Sequence, residues 1–319
     1  MSTLSGIAKV IEPGFYTTLQ DFGRFGQLAR GVTRGGPVDE QAFLWANRLL
    51  ENSYNHAQLE ITAGGLQLEF YRAAQICVTG AAVAVYVDQQ LQPNWQVLSI
   101  AAGSQLRIRA GSSGLRSYLA IRGGFQATAV EGSVATVRRD QRGGLHGDGR
   151  ALQAGDVLQA PPQPMDIPQR RPQRDMLTPL PVGEPLTLPI IASGQYRQFS
   201  EAAQHLLVNQ VYRVTPAHDR MGVRLAGEQP IAWQHPQIIS EPLPVGAVQV
   251  PPDGQPIVML NDRQTLGGYP KIATLSWSAR CLLAQASAGT LLQFRWQSLS
   301  EAQAEWCQVA QFFHLPRSG

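Results

Sequence analysis

The sequence predicts a mainly β protein, and three observations carry that prediction. Short segments alternate apolar and polar residues or run β-branched residues together. Gly, Pro or Asp bounds these segments at short intervals, and helical periodicity is rare. In chain order, 74–79 alternates Ala, Ile and Val with Gln, Cys and Thr. The run 82–87 is β-branched between Gly80 and Asp88, and 105–110 alternates strictly through Leu106 and Ile108. Further strands are expected at 117–122, 210–215, 255–260 and 290–296. Asp39 is placed to cap a helix over 40–50, where Phe43, Leu44, Ala46, Asn47 and Leu50 fall near one face. Two more helices are expected at 199–207 and 300–313, the second with Ser300 as its cap. A barrel or a sandwich satisfies this pattern.

Composition narrows the function. The 319 residues contain 24 Arg but only two Lys, Lys9 and Lys271, and charged residues make up 15%, against about a quarter in ordinary domains. With 44% hydrophobic residues and a net charge of +3, the chain is neither disordered nor a coiled coil. The arginines do not cluster beyond pairs such as Arg138-Arg139, so nothing points to nucleic acid. Cys77, Cys281 and Cys307 have no C-x-x-C spacing, which argues against a disulfide framework and a structural zinc site. Neither a secretory signal nor a membrane span of about 20 apolar residues is read, so a reducing cytoplasm is the expected location.

From 161 to 189, nine of 29 residues are Pro, a composition expected to form a semi-rigid linker. The expected organisation is an N-terminal domain over 1–160, the linker over 161–189, a C-terminal domain over 190–297, and a helical tail over 298–319.

Self-contained catalytic signatures are missing. There is no Walker-type loop, no G-x-S-x-G elbow and no histidine spacing for zinc, and the glycine-rich stretch 143–149 is expected to be a flexible loop. Three polar loop clusters remain: 13–24 followed by 35–39; 218–225; and one from Ser240-Glu241 through 246–251 to 261–271. Such density of carboxylate, guanidinium, amide and hydroxyl groups suits a site that orients a small polar substrate. The same groups equally satisfy buried turn backbone, and Asp219-Arg220 equally makes an internal ion pair. Lys271 stands out in an Arg-rich chain, because a compact ammonium is not equivalent to a guanidinium.

These clusters also carry a resemblance. The strings Pro13-Gly14-x-x-Thr17-Thr18-x-Gln20-Asp21-x-Gly23-Arg24, Leu59-Glu60-x-Thr62-x-Gly64 and Asp219-Arg220-Met221-Gly222-x-Arg224-Leu225 occur in order. They are followed by Gly246-x-x-Gln249-Val250-Pro251 and Asp262-x-Gln264-Thr265-x-Gly267-Gly268-Tyr269-Pro270-x-Ile272-Ala273. Over about 8–296 the chain resembles the biotin-dependent carboxyltransferase-like family, which includes the C subunits of 5-oxoprolinase, allophanate hydrolase subunit 2 type domains and part of urea carboxylase. It departs from the family pattern at Arg34-Gly35-Gly36-Pro37-Val38-Asp39, at Ser193-Gly194-Gln195-Tyr196, at Pro242 and at Leu266.

The resemblance implies two cyclophilin-like β-barrel domains with a few short helices. It also implies two partners, the B-type (allophanate hydrolase subunit 1 type) and A-type chains of 5-oxoprolinase. With them the chain converts 5-oxoproline to glutamate using ATP, with magnesium, while inactive alone. In that reading Asp39, Glu241, Asp262 and Lys271 are the catalytic candidates. Arg24, Arg220, Gln249, Arg263, Gln264, Thr265 and Tyr269 are the substrate-binding candidates, and no metal site is expected in the chain. Neither lysine stands in a Met-Lys-Met context, so no covalent biotin is expected on it. Two alternatives stay open: a regulatory binding protein that antagonises a histidine-kinase inhibitor, and a carboxyltransferase using biotin carried in trans.

Overall fold

The computed structural model describes residues 6–172, 184–236 and 238–316. Strands dominate, and the chain divides into two compact units: Met1–Phe25 with Gly35–Thr178, and Gly26–Arg34 with Pro179–Gly319. Among the described residues no helix is long and apolar enough to cross a membrane.

The first unit contains eleven strands in two sheets. They are β1 (Gly6–Pro13), β2 (Tyr16–Gln20), β3 (Gln58–Thr62), β4 (Leu66–Phe70), β5 (Ala74–Gly80) and β6 (Ala84–Val87), then β7 (Gln90–Gln92), β8 (Val97–Ile100), β9 (Gln105–Arg109), β10 (Arg116–Ile121) and β11 (Val157–Gln159). One sheet runs β11-β1-β4-β9-β6-β7 and the other β2-β3-β10-β5-β8. Alternate residues of both, among them Leu59, Ile61, Leu66, Leu68, Ile76, Val78, Leu106, Ile108 and Leu119, meet in one core. β9 keeps the alternation strictly, with Gln105, Arg107 and Arg109 outside. β10 is buried along its whole length, because helix α1 (Glu40–Leu49) packs on β5 and β10. Asp39 caps α1 as expected, accepting from Ala42 N.

The loop from β2 leads into a buried polar centre. Glu60 accepts from Tyr118 Oη (2.7 Å) and Val38 N (3.0 Å), while Asp39 N donates back to Tyr118 Oη (2.8 Å). The glycine-rich stretch 143–149, expected as a flexible loop, is held by backbone bonds instead: Gly143 pairs with Asp148 within it, and Gly144 N donates to Val134 O (2.8 Å). Gly143 is also where a Cβ would meet Ala135 O and Arg24 Nη2 at 2.1 and 2.4 Å.

The stretch expected as a linker is put to different uses along its length. Residues 161–172 belong to the first unit, where Gln75 of β5 exchanges two hydrogen bonds with the backbone of Ile167 (2.7 and 3.1 Å). That exchange satisfies a segment with no ladder of its own. Residues 173–183 lie outside the described residues.

The second unit contains β12 (Leu186–Ala192), β13 (Tyr212–His218), β14 (Gly222–Gly227), β15 (Glu241–Pro242), β16 (Ala247–Gln249) and β17 (Ile257–Met259), then β18 (Leu266–Gly267), β19 (Lys271–Leu275) and β20 (Leu291–Trp296). Seven of them close a barrel in the order β12-β19-β16-β17-β14-β13-β20, sealed by parallel pairing of β20 with β12. Inward side chains such as Leu188, Ile190, Val214, Leu225, Val258 and Phe294 fill it. Helices α2 (Glu201–Asn209) and α3 (Trp277–Ala284) pack on β20 and β12 respectively, each capped by the serine before it. The last helix, α4 (Leu299–Phe312), begins earlier than expected. Its cap is Ser298, not Ser300, because Glu301 completes a capping box with Ser298.

Burial, then the charges of Glu60 and Asp39, holds the Tyr118 phenol well above its ordinary range. Burial alone raises Cys77 and is the chief cause of the rise at Tyr212. All three keep their protons when folded, so their stabilisation is complete below the unfolded pKa values, about 8.5 for Cys and about 10 for Tyr. It is lost as pH rises beyond them. The urea midpoint is therefore expected to hold from pH 7 to 8 and to fall at more alkaline pH. Tyr118→Phe should cost about 2 kcal/mol at neutral pH, since it strips a donor from a buried carboxylate, and should make the alkaline fall shallower. A midpoint unchanged up to strongly alkaline pH would contradict this reading.

Candidate functional site

The second unit gathers most of the candidate side chains at one edge of its barrel. Gln249 of β16 stands opposite Lys271 of β19, with a register irregularity between Val248 and Gln249. An irregularity of this kind re-aims the side chain beside it. Strand β15 pairs with β18 so that Glu241 faces Gly267. Gly267 leaves room for the Gln249 amide, because a Cβ there would lie 2.8 Å from Gln249 Nε2. Pro242 has no N–H to give, and the ladder resumes one residue later, with Leu243 N donating to Thr265 O (2.9 Å).

Three side chains close a ring at this edge. Lys271 Nζ is ion-paired to Glu241 Oε1. The same carboxylate oxygen accepts from Gln195 Nε2 (2.5 Å), and Gln195 Oε1 accepts from Lys271 N (2.7 Å). Ser193 Oγ donates to Lys271 O and accepts from Gln195 N (3.2 Å). Lys271 is buried, whereas the Glu241 side chain is 42% exposed. The ring thus turns a carboxylate outward on a buried ammonium.

Arg220 and Asp262 form a buried bidentate pair, Nε to Oδ2 at 2.9 Å and Nη2 to Oδ1 at 2.8 Å. The expected pairing of Arg220 with its neighbour Asp219 is not what the structure shows. Asp219 caps its own turn, accepting from Met221 N and Gly222 N (2.7 and 3.1 Å). Arg263 is buried too, and donates to the carbonyls of Leu243 (2.7 Å) and Leu260 (3.5 Å). Burial first, then the nearby Arg34 and Arg280, pushes its guanidinium down to about 10 against the opposing pull of Asp262. Gln264 and Thr265 are half-buried in the loop that follows.

Tyr269 is exposed and forms part of the wall of a cleft of about 500 Å³, with Trp233, His235, Val250 and Pro251 among the other lining residues. Phe199 packs on Trp233 and Trp233 on His235 (ring centroids 4.7 and 4.9 Å). The size and the mixed lining suit a small ligand. Gln249 Nε2 donates to Tyr269 O (3.3 Å), linking the cleft wall to the ring of side chains.

Arg24 and Asp39 lie in the first unit. Each nitrogen of Arg24 donates to a backbone carbonyl, of Val130, Ala135 and Ser133 (3.1, 2.7 and 3.3 Å). Asp39 serves as the cap of α1. Both hold the loops whose sequence made them conspicuous. Conversely, Gln195, Trp233 and His235 were not among the expected site residues. Gln195 stands in a string that departs from the family pattern, and the two rings lie in a Pro-rich coil without periodicity. Among the described residues no group of three or more His, Cys, Asp or Glu is placed to hold a metal ion.

Removing one member of the buried pair takes a bidentate, charge-assisted contact from the other. Arg220→Met is expected to destabilise the second unit by about 3–5 kcal/mol, whereas Lys271→Met, whose partner is half in solvent, should cost about 1 kcal/mol or less. Urea unfolding of both variants checks this, and equal losses would contradict it.

A model of the carboxyltransferase domain, subdomain A and B, matches residues 30–296. The chain is 35% identical over 298 residues to the 5-oxoprolinase C subunit of Escherichia coli, covering 92% of both chains. It is 34% identical over 289 residues to that of Haemophilus influenzae, covering 89% of each. The crystal structure of urea carboxylase from Kluyveromyces lactis superposes with a TM-score of 0.89 at 25% identity over 98% of this chain, which corresponds to only 30% of that longer chain. The closed barrel and these similarities agree, and the chain belongs to the carboxyltransferase-domain family.

Proposed function

We propose that this chain is the C-type member of an ATP-dependent 5-oxoprolinase, opening 5-oxoproline to glutamate together with chains of types A and B. The observation that carries the reading is the Gln195–Glu241–Lys271 ring beside the Tyr269 cleft, combined with similarity to two 5-oxoprolinase C subunits along nearly their whole length. Opening an unstrained lactam requires its carbonyl to be made a better electrophile. Transfer of the ATP γ-phosphoryl group to the amide oxygen does so, with ADP leaving. Water then adds to the carbon, the C–N bond breaks as the nitrogen takes up a proton, and a second water hydrolyses the resulting acyl phosphate to glutamate and inorganic phosphate.

Lys271 supplies a fixed positive charge for oxygen that gains negative charge in that step. Glu241 Oε2, which accepts no bond among the described residues, can take the proton of the attacking water. Gln249 is oriented by Tyr269 O and offers its amide oxygen to the lactam N–H. Asp262 is held by Arg220, so its role is to fix the loop bearing Gln264 and Thr265. Among the described residues no group of ligands fits a resident magnesium site, and we assign the ion to the nucleotide phosphates. Ile239, just before β15, and Leu266 of β18 are both exposed and suit a surface covered by the type-B partner. A location in the cytoplasm fits the three free cysteines.

The likeness to urea carboxylase supports a second reading, carboxyl transfer from biotin carried on another protein. One assay separates the two. The purified chain, with and without its type-A and type-B partners, is supplied with 5-oxoproline and ATP, and glutamate is followed. Release that needs all three chains and ignores avidin is expected; avidin inhibition would favour carboxyl transfer. No release from the full assembly, with the assembly itself stable, would favour a purely regulatory binding role. Lys271→Met should lower turnover by roughly 10²-fold with assembly intact, and unchanged turnover would remove Lys271 from the site.

A further inference from the structure

We propose that Gln195 is a positioning residue for Glu241, occupying one carboxylate oxygen so that the other is presented to the substrate; the inference rests on the functional reading above. Glu241 Oε1 receives two donors, Gln195 Nε2 and Lys271 Nζ, while Oε2 receives none among the described residues. A half-exposed glutamate otherwise samples several rotamers. Two donors on one oxygen, one of them charged, offset the entropy lost in fixing it.

The orientation of the Gln195 amide follows from its neighbours. Lys271 N–H requires an acceptor, so the amide oxygen must face it (2.7 Å), and the NH₂ group must then face Glu241. The flipped amide would set donor against donor at one end and acceptor against acceptor at the other. The Gln195 backbone is itself held, because Ser193 Oγ bonds both Gln195 N and Lys271 O. The turn at 193–195 therefore grips Lys271 on both sides of its backbone and aims the carboxylate paired with its side chain. In the opening reaction, Oε2 is the oxygen that accepts the proton of the attacking water.

Two substitutions divide this role from a structural one. Gln195→Met removes both bonds, whereas Gln195→Glu keeps the acceptor for Lys271 N and loses only the donor to Glu241. If Gln195 positions Glu241, both variants of the assembled complex should lose about tenfold or more in kcat near pH 7. Gln195→Glu should then regain activity toward acid pH, where the introduced carboxyl and Glu241 share one proton and the donor is restored. A second readout does not depend on activity. Because Lys9 and Lys271 are the only lysines, ¹³Cε-lysine labelling of the full chain reports Lys271 as one of two side-chain signals. That signal is expected to move in Gln195→Met in the same direction as in Glu241→Gln, and to move in Gln195→Glu at neutral pH, where a second carboxylate faces the ammonium, while the Lys9 signal stays. A wild-type pH profile and an unmoved Lys271 signal in Gln195→Glu would overturn the proposal. If the unsubstituted complex releases no glutamate, the functional reading fails, and the Lys271 signal alone decides the positioning.

Discussion

Arg220 and Asp262 lie buried against each other with two parallel hydrogen bonds, and the rest of the site is built outward from that pair. Two backbone bonds reinforce it, Asp262 N to Arg220 O and Leu260 N to Met221 O (2.9 and 2.8 Å). Together they pin the loop after β17 to the turn before β14. Arg263, next along, ties the loop to Leu243 through its carbonyl, and the β15–β18 ladder then brings Glu241 across from Gly267. A buried ion pair is weak as a source of net stability, because desolvation consumes much of the Coulomb gain. Its value here is geometric. Loss of either partner would take a buried bidentate contact from the other, so few arrangements of the loop are tolerated.

On that frame the site combines one fixed cation with one outward carboxylate. The buried Lys271 ammonium has little room to move, and its partner Glu241 keeps a solvent-facing oxygen. Beside it, the aromatic and proline walls of the Tyr269 cleft offer a small ring-shaped ligand an apolar seat. In the proposed reading, charge stabilisation comes from Lys271 on barrel strand β19 and proton acceptance from Glu241 on β15, which pairs with β18 beside the barrel.

Much of the fold was legible because its signals are local. Strict alternation marked β9, a β-rich run marked β10, and Asp39 marked the start of α1 by capping chemistry alone. Ser300 misled because two serines compete, and only Ser298 has a glutamate three residues on. Pairings distant in sequence were not legible. Arg220 is next to Asp219 in the chain but bonds to Asp262, 42 residues away. The nine residues 26–34, within the N-terminal part of the chain, fold into the second unit, where Thr33 Oγ1 donates to Arg263 O (3.1 Å). Within the site, motif residues Lys271, Glu241 and Gln249 came together. In the first unit, Arg24 and Asp39 satisfy the backbone of tight turns and of a helix start. Gln195 carried no local signal, because a glutamine in a loop gains meaning only from what it touches.

The coupling between Glu241 and Lys271 is the central claim, and a double-mutant cycle measures it directly. Glu241→Gln, Lys271→Met and the double variant would be compared by kcat/KM in the assembled complex. If the two act as one unit, the double variant should be scarcely worse than either single one, with a coupling energy above about 1 kcal/mol. Losses that simply add would show two independent side chains and would contradict the account.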